Sequence, residues 1–154
     1  MEADSATTAS DADLRFSEAE AMARALRLAE SARGYVEPNP MVGAVLLDGD
    51  GRLIAEGHHG RFGGPHAEAA ALSGAGNRAA GQTLLVTLEP CAHYGKQPPC
   101  ADAVIAAGVS RVVAAMRDPF PEVAGRGFQK LREAGIDVQV GLMRAEAEEL
   151  NGPS

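Results

Sequence analysis

Both cysteines of the chain follow a His-Ala-Glu triplet, and together these residues could hold and use a metal ion. The stretch opens with His66-Ala67-Glu68 and closes with Pro90-Cys91, an eight-residue loop and Cys100. One imidazole and two thiolates leave a zinc ion one position short of a closed tetrahedron. An open position held by water separates a catalytic zinc from a structural one. Zinc so bound lowers the pKa of its water from about 16 towards about 7. Glu68, two residues after the histidine, is placed to move protons to and from that water. A structural zinc would want a fourth protein ligand, which His93, His58 or His59 could supply. Two ordinary cysteines beside a surface histidine, with no metal, are the plainest alternative.

Composition narrows what such a centre could serve. A chain of 154 residues is one domain by length, long enough to bury about two thirds of its unfolded surface. The net charge of −7 argues against a polynucleotide partner, which needs a basic face to neutralise phosphates. A small molecule, even an anionic one met by a few local cations, remains open. No run of eighteen apolar residues offers a membrane span. The first residues, Met1-Glu2-Ala3-Asp4-Ser5, are acidic and lack the apolar core of a secretory signal. Two cysteines in such a chain read as thiolates rather than a disulfide, and a cytoplasmic location is expected.

The elements that must position the centre are legible in turn. Residues 1–16 carry Ser, Thr, Asp and Ala without period, a flexible N-terminal arm ahead of one domain over 17–151. Ser17 and Glu20 fit a capping box; Met22, Ala25, Leu26 and Ala29 continue a helix that Gly34 stops. Pro38-Asn39-Pro40 leads into a strand over 41–47, and Asp48-Gly49-Asp50-Gly51 turns it into a returning strand over 52–57. A second helix starts at Pro65 or His66 and ends near Gly74. Residues 82–88 form a near-continuous apolar run, as in a strand covered on both faces. Helices over 101–107 and 126–134 then alternate with strands over 111–116 and 136–140. The alternation predicts an α/β fold, a three-layer α/β/α sandwich around a central mixed sheet of about five strands. Ligands bind such sheets beyond the strand ends, where Cys91 and Asp118 fall. Helices beginning at His66 and at Cys91-Ala92 would turn their positive ends towards the ion and favour thiolate.

Pro38-Asn39-Pro40 with Val42-Gly43, Gly57-His58-His59, His66-Ala67-Glu68, Thr87-Leu88-Glu89-Pro90-Cys91, His93 to Cys100 and Asp118-Pro119 come in one order. Together they resemble the pyrimidine deaminase domain of riboflavin biosynthesis, the diaminohydroxyphosphoribosylaminopyrimidine deaminase of the cytidine deaminase-like superfamily. The match runs over roughly residues 18–151. His-x-Glu followed by Pro-Cys-x-x-Cys is the zinc deaminase signature. Here the second half is stretched to eight intervening residues, and the loop ending in Pro-Pro-Cys is specific to this branch.

The resemblance implies a cytidine deaminase-like fold, one zinc held by His66, Cys91 and Cys100, and Glu68 as the catalytic proton shuttle. It implies a substrate pocket at Asn39, His59, Lys96 and Asp118 and an aminated, phosphorylated heterocycle as partner. It also implies a homodimer or homotetramer. Asn39 offers a two-way amide, Lys96 could meet a phosphate or carbonyl, and Asp118 could accept from ribose hydroxyls or an amino group. Each has a blander reading. Asn39 could simply build a turn between prolines, Lys96 could be a solvated charge, and Asp118 an Asx-turn former before Pro119. His58 reads as a strand-end residue and His93 as a support for the loop.

Two departures qualify the match. Phe120 stands where the family usually has Asn, so it cannot give an amide's hydrogen bonds and would stack on a base or fill space. Gln97 replaces the usual Thr, a milder change. The chain stops at Ser154, about where the reductase domain of the bifunctional enzyme would begin, so no reductase domain is expected. The activity implied is removal of the exocyclic amino group of a diaminopyrimidine ribotide. The alternatives are a deaminase of another aminated heterocycle (a pterin, purine or natural-product precursor) and a non-catalytic zinc-stabilised binding subunit.

Overall fold

A computed structural model describes residues 14–31, 41–59, 66–92 and 100–151. The first helix, α1 (Glu18–Glu30), begins as its sequence dictates. Ser17 Oγ accepts from the Glu20 N–H at 3.0 Å, and Glu20 Oε1 accepts from the Ser17 N–H at 2.8 Å. Two orphan donors of the first turn are thereby satisfied, a cap whose removal typically costs about 1 kcal/mol. Ala21, Met22, Ala25 and Ala29 form its buried stripe. The helix ends at Glu30 with Ser31 as C-cap; Gly34, the expected stop, lies outside the described residues. Ahead of the helix, Arg15 bridges Arg52 and the Phe16 N–H donates to Gly51 O at 2.8 Å. Residues assigned to the arm are thus tacked to the first hairpin.

Five strands follow: β1 (Gly43–Leu47), β2 (Leu53–His58), β3 (Thr83–Val86), β4 (Arg111–Ala114) and β5 (Asp137–Val140). Their order is β2-β1-β3-β4-β5, with β1 antiparallel to both neighbours and β3, β4 and β5 parallel. The mixed five-stranded sheet expected from the sequence is the one observed. β3 is covered on both faces, as its apolar run predicts. Leu84 and Val86 join the layer with α2 (Ala67–Ala75), α3 (Cys100–Ala106) and α4 (Arg126–Glu133). Leu85 faces the opposite layer, made by α1 and α5 (Arg144–Asn151).

Helix α5 is absent from the sequence reading. Its residues are good helix formers, but only Ala147 is fully buried, so no apolar period announces it. It is held at its end by Asn151, whose Oδ1 accepts from the Met41 N–H at 2.8 Å and whose Nδ2 donates to Met41 O at 2.7 Å. Among the described residues no helix is long and apolar enough to cross a membrane.

The topology brings the chemistry-bearing residues to one sheet edge. β2, β3 and β4 all run the same way, so His59, Cys91 and Asp118 follow strand ends on the same side. The start of β1 is there too. The Gly43 N–H donates to Thr87 Oγ1 at 3.1 Å, and the His59 N–H donates to Val42 O at 3.2 Å. α2 lies so close over β2 that a Cβ on Gly57 would sit 2.6 Å from Ala67 O and 2.7 Å from Ala71 N. Gly57→Ala is therefore expected to destabilise by about 3 kcal/mol, because the helix backbone must shift to admit it. Urea unfolding checks this; an unchanged midpoint would contradict the close seating of α2.

Candidate active site

His66 is the residue before α2, with φ −73° and ψ 163°, and its side chain makes no capping hydrogen bond. That extended backbone turns the imidazole off the helix end and towards the sheet edge. Glu68 follows in the first helical turn and is only 4% exposed. Cys91 lies just past β3, beyond the corner Glu89-Pro90, and Cys100 is the first residue of α3. A ring nitrogen of His66 and the two sulfurs lie within 4.8 Å of one another. His66 Nδ1 is 3.0 Å from Cys100 Sγ.

No helix begins at Cys91-Ala92; the helix expected over 101–107 is observed over Cys100–Ala106. The positive end of α3 still serves Cys91. The Cys100 N–H donates to Cys91 Sγ at 3.2 Å, and the Ala101 N–H donates to Cys91 O at 2.9 Å.

These contacts set the charges. The Cys91 thiol is lowered to about 4, first by the hydrogen bond from the Cys100 thiol, then by His66 and the Cys100 N–H. The Cys100 thiol is pushed up by the same partnership and by burial. Hydrogen bonding to Cys91 raises the His66 imidazole, against the opposing effect of burial. Burial raises the pKa of the Glu68 carboxyl.

Glu68 and the triad line a cavity of about 190 Å³. Val42 and Leu88 give it apolar walls, while His59, Glu89 and Asp118 add polar ones. The buried His59 ring stacks on His66, centroids 5.1 Å apart, and holds that imidazole in place. Asp118 forms the expected Asx turn and also stands in the cavity wall; its Oδ1 accepts from the Phe120 N–H at 2.9 Å. Phe120 is 66% exposed and is not among the described residues lining the cavity. Asn39, Lys96 and His93 lie outside the described residues. His58 is exposed at the end of β2.

The sequence reading assigned Glu89 no role, yet it lines the cavity and is 5% exposed. Its signal was a charged residue closing an apolar strand, two positions before Cys91.

The donor set fits zinc. Two sulfurs and one imidazole nitrogen around a single point suit zinc over magnesium or manganese, and three protein ligands leave a position for water.

The family model of the cytidine and deoxycytidylate deaminase zinc-binding region matches residues 16–116. The chain belongs to that family. The Escherichia coli (strain K12) riboflavin biosynthesis protein RibD is 59% identical over 84% of this chain and 35% of its own length. The diaminohydroxyphosphoribosylamino-pyrimidine deaminase of Buchnera aphidicola subsp. Schizaphis graminum is 43% identical, over 84% of this chain and 88% of its own. Among solved structures, Acinetobacter baumannii RibD (form 1) superposes with a TM-score of 0.84 at 48% identity, over 86% of this chain and 37% of that one. The family resemblance drawn from the motifs is therefore shown. The chain spans about a third of the length of the RibD relatives it matches.

Proposed function

We propose that this deaminase-family chain removes the exocyclic amino group of a diaminopyrimidine ribotide by zinc-dependent hydrolysis, a step of riboflavin biosynthesis. The observation that carries the reading is the convergence of His66, Cys91 and Cys100 on one point beside the buried Glu68. The likeness to RibD proteins and to a stand-alone deaminase supplies the substrate class.

In this reading His66, Cys91 and Cys100 hold the zinc, and residues 17–151 form the catalytic domain. Zinc, when bound, polarises a water so that it ionises near neutral pH. Glu68 takes the proton of that water and delivers it to a ring nitrogen as the hydroxide adds to the ring carbon. It then takes the proton of the added hydroxyl and passes it to the amine, which leaves as ammonia while the carbonyl forms. Val42 and Leu88 offer the heterocycle apolar wall, and His59 stacks on the His66 ring. Asp118 accepts from the ribose hydroxyls or an amino group at the mouth, with Asn39 and Lys96 as further contacts. The need for reduced thiols fits a cytoplasmic location, and a homodimer or homotetramer belongs to the same proposal.

Phe120 favours a second reading, a deaminase of another aminated heterocycle. An exposed aromatic ring beside the Asx turn offers a stacking surface where the family usually has an amide. Ammonia release from a panel separates the two. The panel comprises the ribotide, its dephosphorylated form, aminopurines and pterins. The first reading expects the ribotide to be turned over best, with Phe120→Asn changing kcat/KM by less than about tenfold, the range of one lost contact. Preference for a purine or pterin, with ribotide activity gained only by Phe120→Asn, would establish the second.

A further inference from the structure

Among the described residues, the Glu89 carboxylate takes its hydrogen bonds from backbone. Its Oε1 accepts from the Asp118 N–H at 2.9 Å and the Gly125 N–H at 3.0 Å, and its Oε2 accepts from the Phe128 N–H at 3.1 Å. A carboxylate buried to this extent is costly unless hydrogen-bonded, and a leucine or methionine would fill the space without that cost. What the carboxylate does that they could not is grip both ends of the segment between β4 and α4. Gly125, the N-cap of α4, supplies no side-chain cap. Glu89 therefore caps that helix from a distance, its negative charge at the positive helix end.

We propose that Glu89 is the positioning residue of the substrate-facing wall: it fixes the segment from Asp118 to Gly125 and so sets where Asp118 stands in the cavity. The first turn of α4 is pressed onto the same corner from the other side. A Cβ on Gly127 would lie 1.8 Å from Pro90 O. Glu89-Pro90 thus registers the wall carrying Asp118 against Cys91, the next residue of the chain. The kinetic consequence rests on the deaminase reading; the ordering of the segment does not.

Glu89→Gln keeps the shape of the side chain but sets an NH₂ group against at least one backbone N–H. The zinc-loaded variant is expected to keep its zinc and its melting cooperativity. Hydrogen exchange at the Asp118, Gly125 and Phe128 amides should accelerate about tenfold or more, with the sheet unchanged. KM for the ribotide should rise about tenfold with kcat within threefold, since a substrate contact is displaced and the proton shuttle is not. Glu89→Asp, which withdraws the charge by one methylene, should shift both readouts in the same direction and carries the test if the amide variant does not fold. Unchanged exchange at the three amides, or a fall in kcat at constant KM, would overturn the assignment. If the wild-type protein turns over no ribotide, the functional reading fails and the exchange measurement alone decides on Glu89.

Discussion

Glu68→Gln is expected to lower kcat by a factor of about 10² or more while leaving zinc content at one ion per chain, because in the proposed mechanism the residue moves protons and binds no metal. Glu68 stands in the first turn of α2, lines the cavity and is almost wholly buried, so no solvent carboxylate or buffer can replace it at close range. The amide has the same shape and still offers a hydrogen bond, so the helix should not move. It cannot accept a proton. KM should change much less than kcat, since the loss falls on the transition state. Steady-state ammonia release with metal analysis on the same preparation checks both halves. A variant that kept its function at full level would favour the non-catalytic binding subunit.

Stripping the metal should produce the second large effect. The three proposed ligands come from different elements: the start of α2, the corner after β3 and the start of α3. An ion shared by them cross-links those elements at the sheet edge. At free zinc a thousandfold above Kd, binding contributes about 4 kcal/mol to stability. For a domain of this size that corresponds to about 10 °C in Tm. Chelation should abolish turnover and lower Tm by that amount, and zinc but not magnesium should restore both. Cys100→Ser should behave as the chelated protein even in excess zinc. Equal melting temperatures with and without chelator would contradict a metal at this site.

The division between what the sequence disclosed and what it hid follows from the range of the interactions. Ser17 and Glu20 are three residues apart, so the cap of α1 was readable and is observed in both its hydrogen bonds. The apolar run of β3 announced a strand buried on both faces, since burial on two sides leaves no polar alternation. The metal-binding reading rested on side-chain chemistry and motif order, which survive any loop length. By contrast, Glu89 reaches partners 29, 36 and 39 residues away, and no local period marks such contacts. The helix over 101–107 was readable from its alanines and the stop at Gly108, and it is observed one residue earlier, over Cys100–Ala106. α5 was missed because its anchor is a side-chain amide on Met41, 110 residues distant, and not an apolar stripe. At Asp118 the turn was legible from the following proline, and one oxygen makes that turn while the residue lines the cavity.

The central claim is hydrolytic removal of an amine, and water labelled with heavy oxygen tests it most directly. Zinc-loaded protein would be given the diaminopyrimidine ribotide in labelled water, and product mass and ammonia followed together. The account predicts one ammonia and one labelled oxygen per product, with both lost in Glu68→Gln. Product without label, or no ammonia from the zinc-loaded wild-type protein, would contradict it.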